Sequence, residues 1–336
     1  MKANEYSFRV FYTGVDITTD LNKDIIGISY TDNLEGKADE ITITIHDNDG
    51  RWQDEWDPSD GDKLLVYIGD KINEVSCGEF FIDTYSLMSI SPDIIELKGI
   101  SIPPTKTLRT RKNRAYENIS IREILNTIAE NAGMDSVFIG DDFLIKRETQ
   151  FKETDLSFLS KLGAKYGFAF SCRGLILYMI SVYSLQEQDV VADLTKQDFD
   201  SLTVNSTISQ KANELKAYRF NPYTGQVLES GDKSSNVDNK ETYATWIRVD
   251  GDTQLNRVVK KMLNDNDTSK TTIDGTLNGT HLLMAGVNFK LKNAGRNSGI
   301  YHVTSSTHTI TDEYLTKFSA KKIADLPESE SVLLNL

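Results

Sequence analysis

Asp24-Ile25-Ile26-Gly27-Ile28-Ser29-Tyr30 and Asp198-Phe199-Asp200-Ser201-Leu202-Thr203-Val204 follow one pattern. The correspondence runs on without a gap to Lys37-Ala38-Asp39-Glu40-Ile41 and Lys211-Ala212-Asn213-Glu214-Leu215. A second pair of blocks follows in the same order. Gly61-Asp62-Lys63-Leu64-Leu65-Val66 and Gly78-Glu79-Phe80-Phe81-Ile82 are echoed by Gly286-Val287-Asn288-Phe289-Lys290-Leu291 and Gly299-Ile300-Tyr301-His302-Val303. Two matched blocks in one order mark an internal duplication. The copied unit alternates apolar and polar residues, which is the period of a half-buried strand. A duplicated β module points to a quasi-symmetric product before it points to any chemistry.

Around the first copy, Ser7 to Tyr12, Glu40 to His46, Leu64 to Ile68, Phe80 to Tyr85 and Ile95 to Leu97 all read as strands. Ile41, Ile43 and Ile45 fall on one face of their strand, Thr42 and Thr44 on the other. Pro103-Pro104 ends the module, because neither residue can donate to a ladder. The period then changes. Ser120 and Glu123 form a capping box ahead of Ile121, Ile124, Leu125 and Ile128, with Gly133 as a stop. A second helix is expected from Leu156 to Tyr166, and strand-like runs from Ser136 to Ile139 and Gly174 to Val182. Past the second copy of the first block, a polar stretch and a helix pattern at Leu255, Val258, Val259, Met262 and Leu263 read as an insertion docked on the second module.

The expected fold is therefore α+β and β-dominant: two similar antiparallel β tube or barrel modules, an α+β domain between them, and a helical insertion in the second. The boundaries are 1–105 for the first module and 106–196 for the middle domain. The second module takes 197–222 and 283–324, the insertion 223–282 and the tail 325–336. The tail ends in Val332, Leu333, Leu334 and Leu336, which either fray or bind a partner.

The 336 residues are enough for two or three cored domains. No apolar run reaches the roughly 20 residues of a membrane span, and Met1 to Tyr6 lacks the apolar core of a secretion signal. Cys77 and Cys172 stand apart without CxxC spacing, which fits a reducing compartment. The net charge of −13 opposes a nucleic-acid surface; the basic run from Lys106 to Arg114 reads as a solvated connector. No nucleophile elbow, HExxH, P-loop or dinucleotide fingerprint occurs. His302 and His308 would share a face only on one unbroken strand, with no carboxylate or cysteine at ligand spacing. Asp47-Asn48-Asp49-Gly50 lacks the first and last ligands of a calcium loop and reads as a turn. No catalytic residue, metal or cofactor is expected.

Three stretches carry a resemblance: the opening module with Gly61 to Tyr67, the segment from Ser120-Ile121-Arg122-Glu123-Ile124-Leu125 through Tyr166-Gly167-Phe168, and Met284-Ala285-Gly286-Val287 through Gly299-Ile300-Tyr301-His302-Val303 and His308-Thr309-Ile310. Together they resemble the phage late control gene D proteins, baseplate hubs of contractile tails. Through these the chain is similar to the N-terminal part of the valine-glycine-repeat spike proteins of type VI secretion. The resemblance spans residues 5 to 322 and is weakest from Tyr223 to Thr280.

It implies a non-enzymatic homotrimer in which two tube modules per subunit make a six-unit ring, a symmetry adaptor between six-fold tail tube and three-fold spike. The implied partners are the spike protein, the tail tube protein and other baseplate proteins, with no stable nucleic-acid binding and no membrane segment. The implied location is the baseplate of a virion or tail-like particle assembled in the bacterial cytoplasm. The strands expected to pair between subunits carry Ile41, Ile43, Ile45, Leu215, Ala217 and Arg219, with Leu64, Val66, Phe289 and Leu291 beside them. Leu333, Leu334 and Leu336 are the partner-binding candidates of the tail. An acidic lumen would repel a negatively charged cargo. The competing readings are a cell-wall-degrading enzyme and a carbohydrate-binding protein, the latter favoured by exposed aromatics on one sheet face, with Trp52 and Trp56 as candidates.

Overall fold

The computed structural model describes residues 6–59, 61–70, 73–90, 92–207, 214–220, 227–233, 242–247, 249 and 251–325. The chain opens with strands β1 (Tyr6–Tyr12) and β2 (Val15–Asp16), a one-turn helix α1 (Thr18–Leu21), and strands β3 (Ile25–Asn33), β4 (Glu40–His46), β5 (Lys63–Asp70), β6 (Glu74–Ile90) and β7 (Asp93–Ile100). These lie side by side in the order β3-β4-β7-β6-β5-β1-β2, each pair antiparallel. The period-two pattern is realised in the burial: Ile41, Ile43 and Ile45 are buried with Ile28, Tyr30, Leu64, Val66, Phe80, Ile95 and Leu97 in one core.

The middle region comprises α2 (Lys106–Arg109), β8 (Lys112–Ser120), α3 (Ile121–Ala132), β9 (Asp135–Ile139), β10 (Leu144–Glu153), α4 (Asp155–Tyr166), β11 (Phe168–Arg173), β12 (Ile176–Ser181) and α5 (Val182–Gln186). Ser120 and Glu123 cap α3 reciprocally, and Gly133 and Gly167 end α3 and α4 with φ of 68° and 83°, backbone values that glycine adopts without a Cβ penalty.

The rest of the chain contains β13 (Val190–Thr195), β14 (Ser201–Ser206), β15 (Glu214–Phe220), β16 (Val227–Lys233), β17 (Thr242–Trp246), α6 (Asp252–Thr268), β18 (Thr271–Asn278), β19 (Asn288–Lys292), β20 (Gly299–Ile310) and β21 (Tyr314–Ala324). Here the duplication becomes a topology. Strands β14-β18-β21-β20-β19 lie in the same order as β3-β4-β7-β6-β5, again with every pair antiparallel. Even an irregularity is copied. The ladder slips between Ile82 and Thr84 of β6 and between Val303 and Ser305 of β20, the same place when Gly78 is aligned with Gly299.

Two expectations fail at the second copy. The strand at Glu214–Phe220 does not pair with β14; β18 does, and β15 joins β16 and β17 in a separate three-stranded sheet. The Lys-Ala-x-Glu-apolar pattern fits any half-buried strand, whereas β18 carries a glycine at a core position. Gly275 is required there because a Cβ would lie 2.9 Å from two atoms of the Phe318 ring. Nor does the insertion dock mainly on the second module. Leu215, Ala217, Leu255, Val258, Val259 and Leu263 share one core with Ile124, Leu125, Phe158 and Leu162 of the middle region. Gln254 of α6, fully buried, reaches across to donate to the Tyr166 hydroxyl at 2.8 Å.

The two modules are also not separate barrels. They share one 13-stranded sheet, joined where β20 pairs with β3 from Ser305↔Asn33 to Ile310↔Ile28. Among the described residues no pairing closes either module on itself.

The middle region is held to this sheet by charge. Arg173, at the end of β11, donates from Nη2 to Asp32 Oδ1 and from Nε to Asp39 Oδ2, both at 2.8 Å. Both carboxylates are buried. The second oxygen of Asp32 accepts from the Ala285 N–H at 2.8 Å, and that of Asp39 from the Asn33 N–H at 2.9 Å. Burial pushes both carboxyls up, Asp39 to about 6, against the pull of Arg173.

A group with a folded pKa near 6 and an unfolded one near 3.9 binds its proton on folding. Its contribution is full below about pH 4 and lost as pH rises through 6. Replacing Arg173 by Met should therefore cost about 3 kcal/mol at pH 7, the low end for a broken buried pair because the Arg173 side chain is 42% exposed and partly screened. Urea unfolding of both proteins at pH 7 and pH 5 should show the deficit shrinking at pH 5. An equal deficit at both would mean that charge is not the cause.

Candidate functional site

The strands picked out as subunit contacts are interior. β4 lies between β3 and β7, β5 between β1 and β6, β19 between β13 and β20, and β15 between β16 and β17. Ile41, Ile43, Ile45, Leu64 and Val66 fill the first core, Phe289 and Leu291 the second. Leu215 and Ala217 fill the third, with Arg219 buried beside them and donating to Asp252 at 2.7 Å. These side chains build the chain's own cores, and their backbones are paired on both sides within it. Leu333, Leu334 and Leu336 lie outside the described residues.

What the fold does leave available are edges and one face. The second edges of β13 and β14 and the stretch 84–87 of β6 carry no strand among the described residues. The face of the shared sheet opposite the two cores is rich in hydroxyls. Along the seam Ser29 meets Thr309 at 3.4 Å and Thr31 meets Thr307 at 3.1 Å, oxygen to oxygen. Thr42 lies beside Ser29 in the same row, with Lys98 next. Period-two alternation makes the face: the isoleucines that fill the core put the threonines on the other side.

Charge is unevenly divided between the copies. Residues 1–105 contain 21 Asp and Glu against 8 Lys and Arg, so the whole net charge of −13 sits there, and the remaining residues balance at 29 of each sign. The acidic character read from bulk composition thus belongs to the first module.

The chemistry-bearing residues are structural in their contacts. His302 and His308 lie on one strand, but the slip between Val303 and Ser305 reverses the alternation and puts them on opposite faces. Asn288, fully buried, donates from Nδ2 to the carbonyls of Leu185, Gln186 and Gln188 at 3.0, 3.2 and 2.8 Å. Its Oδ1 can only accept, so the His302 Nδ1 at 2.8 Å carries the proton. His308 lies between the Ser306 and Tyr314 hydroxyls at 3.1 and 3.0 Å. Burial lowers both imidazoles to about 4, which leaves them uncharged at neutral pH.

Asp47 accepts from the Trp52 N–H at 3.2 Å and from Gln53 at 3.0 Å, and Asp49 holds Arg51, so the carboxylates of that loop serve the turn. Among the described residues no three His, Cys, Asp or Glu side chains gather as metal ligands. Trp52 is buried edge-on to Tyr12 and Trp56. The exposed large aromatics are elsewhere: Phe151 on β10, 66% exposed, and the pair Phe220 and Trp246, 56% and 65% exposed, at one end of the small sheet, where Trp246 lies opposite Tyr218.

Comparison with known proteins agrees with this architecture. No established family profile matches the chain. Over 178 residues it is 25% identical to the probable baseplate hub protein of Escherichia phage 186, a match covering 52% of this chain and 44% of the relative. The chain thus spans less than half the length of that relative. In fold it is similar to the tail protein of Neisseria meningitidis MC58, with a TM-score of 0.70, 13% identity, and coverage of 95% of this chain and 97% of that one. It is also similar to the E. coli c3393 protein, described as a component of the type VI secretion system, with a TM-score of 0.59, 15% identity, and coverage of 93% and 76%. The resemblance carried by the three stretches therefore holds: the chain is similar in sequence to phage baseplate hub proteins and has the fold of phage tail and type VI secretion proteins.

Proposed function

We propose that the chain is a structural baseplate hub of a contractile phage tail or tail-like injection particle. It acts as a trimer whose six β modules form the ring between tail tube and spike. The observation that carries this reading is the copied topology: five strands in one order, twice, joined into a single sheet. A protein that needs only one fold has no use for two copies of a module at the same rank in one sheet. A ring with near-equivalent positions does. Three chains supply six such positions, which match a six-fold tube on one side while the chain itself keeps three-fold symmetry.

The hydroxyl-rich face from Thr42 across Ser29 and Thr31 to Thr307 and Thr309 suits the wall of a passage. Threonine and serine hydroxyls remain hydrated and offer neither an apolar patch nor a fixed charge to a moving cargo. This replaces the acidic lumen inferred from composition, because the hydroxyl rows at the seam carry no charge of their own and are flanked by both signs, Glu40 beside Thr31 and Lys317 beside Thr307. The tube, the spike and other baseplate proteins are the partners of this reading, and the particle's baseplate is its location.

A second reading has one observation in its favour. Phe220 and Trp246 expose their rings on the small sheet, a surface on which a sugar ring could stack. Titration of soluble cell-wall glycan fragments into the protein and into Trp246→Ala separates the two, since only a sugar-binding face loses heat of binding with the indole.

The decisive measurement is mass by light scattering of the purified chain, alone and with its cognate spike protein. A trimer, or a monomer that becomes a three-to-three complex, is the expected result. A monomer that ignores the spike would remove the hub reading. Replacing Thr31, Thr42 and Thr307 together by Lys should leave the mass unchanged while particles carrying the variant eject a polyanionic cargo at least tenfold less often. Normal ejection would take the passage away from this face.

A further inference from the structure

The seam inside one chain specifies the seam between chains. β3 of the first module pairs with the second half of β20 in the second module. The duplication equates β3 with β14 and β20 with β6. In one chain, then, the β14 edge and the second half of β6 are the two halves of a seam that is not made. We infer that β14 of one copy pairs antiparallel with residues 84–87 of β6 in a second copy, repeating the β3–β20 seam. This rests on the ring reading above and names the surfaces that close it.

The register follows from the two alignments. Asp24 corresponds to Asp198 and Gly78 to Gly299, so the β3–β20 pairs Asn33↔Ser305, Asp32↔Ser306, Thr31↔Thr307 and Tyr30↔His308 become Thr207↔Thr84, Ser206↔Tyr85, Asn205↔Ser86 and Val204↔Leu87. The projection stops at Leu87, because β6 slips again between Leu87 and Ser89 and β20 has no slip at the matching place.

Three observations support the pairing. First, the slip at Ile82/Thr84 copies that at Val303/Ser305, and in β20 the residues beyond the slip are the ones that take β3. The matching residues of β6 pair with β7 on one side and, among the described residues, with nothing on the other.

Second, β14 is an unprotected edge among the described residues. Its six residues run in unbroken register with β18 and contain no Lys, Pro or bulge, the features that normally blunt an edge. The Thr207 N–H bonds the carbonyl of Lys270 directly opposite at 2.8 Å. By the alternation of an antiparallel ladder, the N–H and C=O groups of Leu202, Val204 and Ser206 point away from β18. The corresponding residues of β3, at 28, 30 and 32, lie in the seam with β20.

Third, Leu87 and Met88 are 43% and 61% exposed, while the β20 residues matching this stretch are covered or half-covered by β3. A second copy is the occupant because this chain carries β14, the duplicate of the strand β3 that fits the matching geometry of β20. The contact is head-to-tail, β14 of one copy to β6 of the next, so it closes a ring or continues as a fibre, and it cannot stop at a symmetric pair.

The test uses the full chain with Ser86→Cys and Asn205→Cys together. These face each other as a non-hydrogen-bonded pair, within reach of a disulfide. Oxidation with diamide should give disulfide-linked dimers and trimers in the double variant and neither in the single variants, since Cys77 and Cys172 are buried. Ser206→Pro provides a second readout that does not depend on oxidation. It removes the backbone donor aimed at the neighbour and no backbone donor aimed at β18, and beyond that only the exposed hydroxyl contact with Thr271 at 3.1 Å, so thermal unfolding should move by only a few degrees while the trimer dissociates at least tenfold more readily.

A chain that is trimeric by mass but gives no linked species, with Ser206→Pro still trimeric, overturns this pairing and leaves the hub reading standing. A wild-type chain that stays monomeric with the spike present overturns the hub reading as well, and the pairing with it.

Discussion

A β-strand cannot end a sheet without leaving a row of N–H and C=O groups unpaired, and this chain is organised around where that row falls. In each module the strand that begins the duplicated block has one partner inside its own module, β4 for β3 and β18 for β14. The first of these is satisfied by β20 of the other module. That single pairing fuses two modules into one sheet and sets their relative rotation. It also aligns the hydroxyl rows across the joint, so that Ser29 faces Thr309 and Thr31 faces Thr307. Without it the modules would be two small sheets on a linker, each with two raw edges.

The Arg173 cluster depends on the same joint. Asp32 lies near the end of β3, where the seam brings the Ala285 backbone of the second module against the first. The carboxylate there is shared between Arg173 of the middle region and a backbone amide of the second module, so three parts of the chain meet on one side chain. Two buried carboxylates facing one guanidinium are costly in desolvation, and hydrophobic replacement could supply equal stability. What the charges add is direction: Arg173 presents two N–H donors in a fixed fork to two separate carboxylates, which fixes the angle at which the middle region leaves the sheet. An apolar contact of equal strength would slide.

Much of this was legible in the residues. The period-two runs located the strands of the first module, the Ser120–Glu123 box and the glycines at 133 and 167 bounded the two helices of the middle region, and the duplicated blocks announced a repeated unit. Gly275 hides the second copy in the sequence. Phe318 occupies the space where a side chain would stand, so the strand at Thr271–Asn278 loses the apolar signal its counterpart has at Ile43. The stretch at Glu214–Phe220 keeps that signal and drew the alignment onto itself. Contact strands are hidden for a related reason. Strong alternation marks a strand buried on one face, and such strands lie inside a sheet. An edge that waits for another chain need show little, and Ser201-Leu202-Thr203-Val204-Asn205-Ser206 is unremarkable in composition.

The two modules share strand order and the slip in the ladder, but not charge. The first carries the whole excess of −13 and the rest of the chain is neutral. Geometry is what a ring demands of a repeated unit, since a shifted strand or a lost slip would break a seam, while surface charge away from the seams is free to drift. In a ring of three such chains the charge would alternate, acidic and weakly basic, around six geometrically similar positions, since residues 197–222 and 283–324 hold 9 Lys and Arg against 5 Asp and Glu. Backbone pairing would then be close to six-fold while the electrostatic field is strictly three-fold. A six-fold partner that reads the backbone edge and a three-fold partner that reads the field could bind opposite sides of one ring, and neither need distort it. The adaptor property would then come from duplicating a fold and letting only its charges diverge.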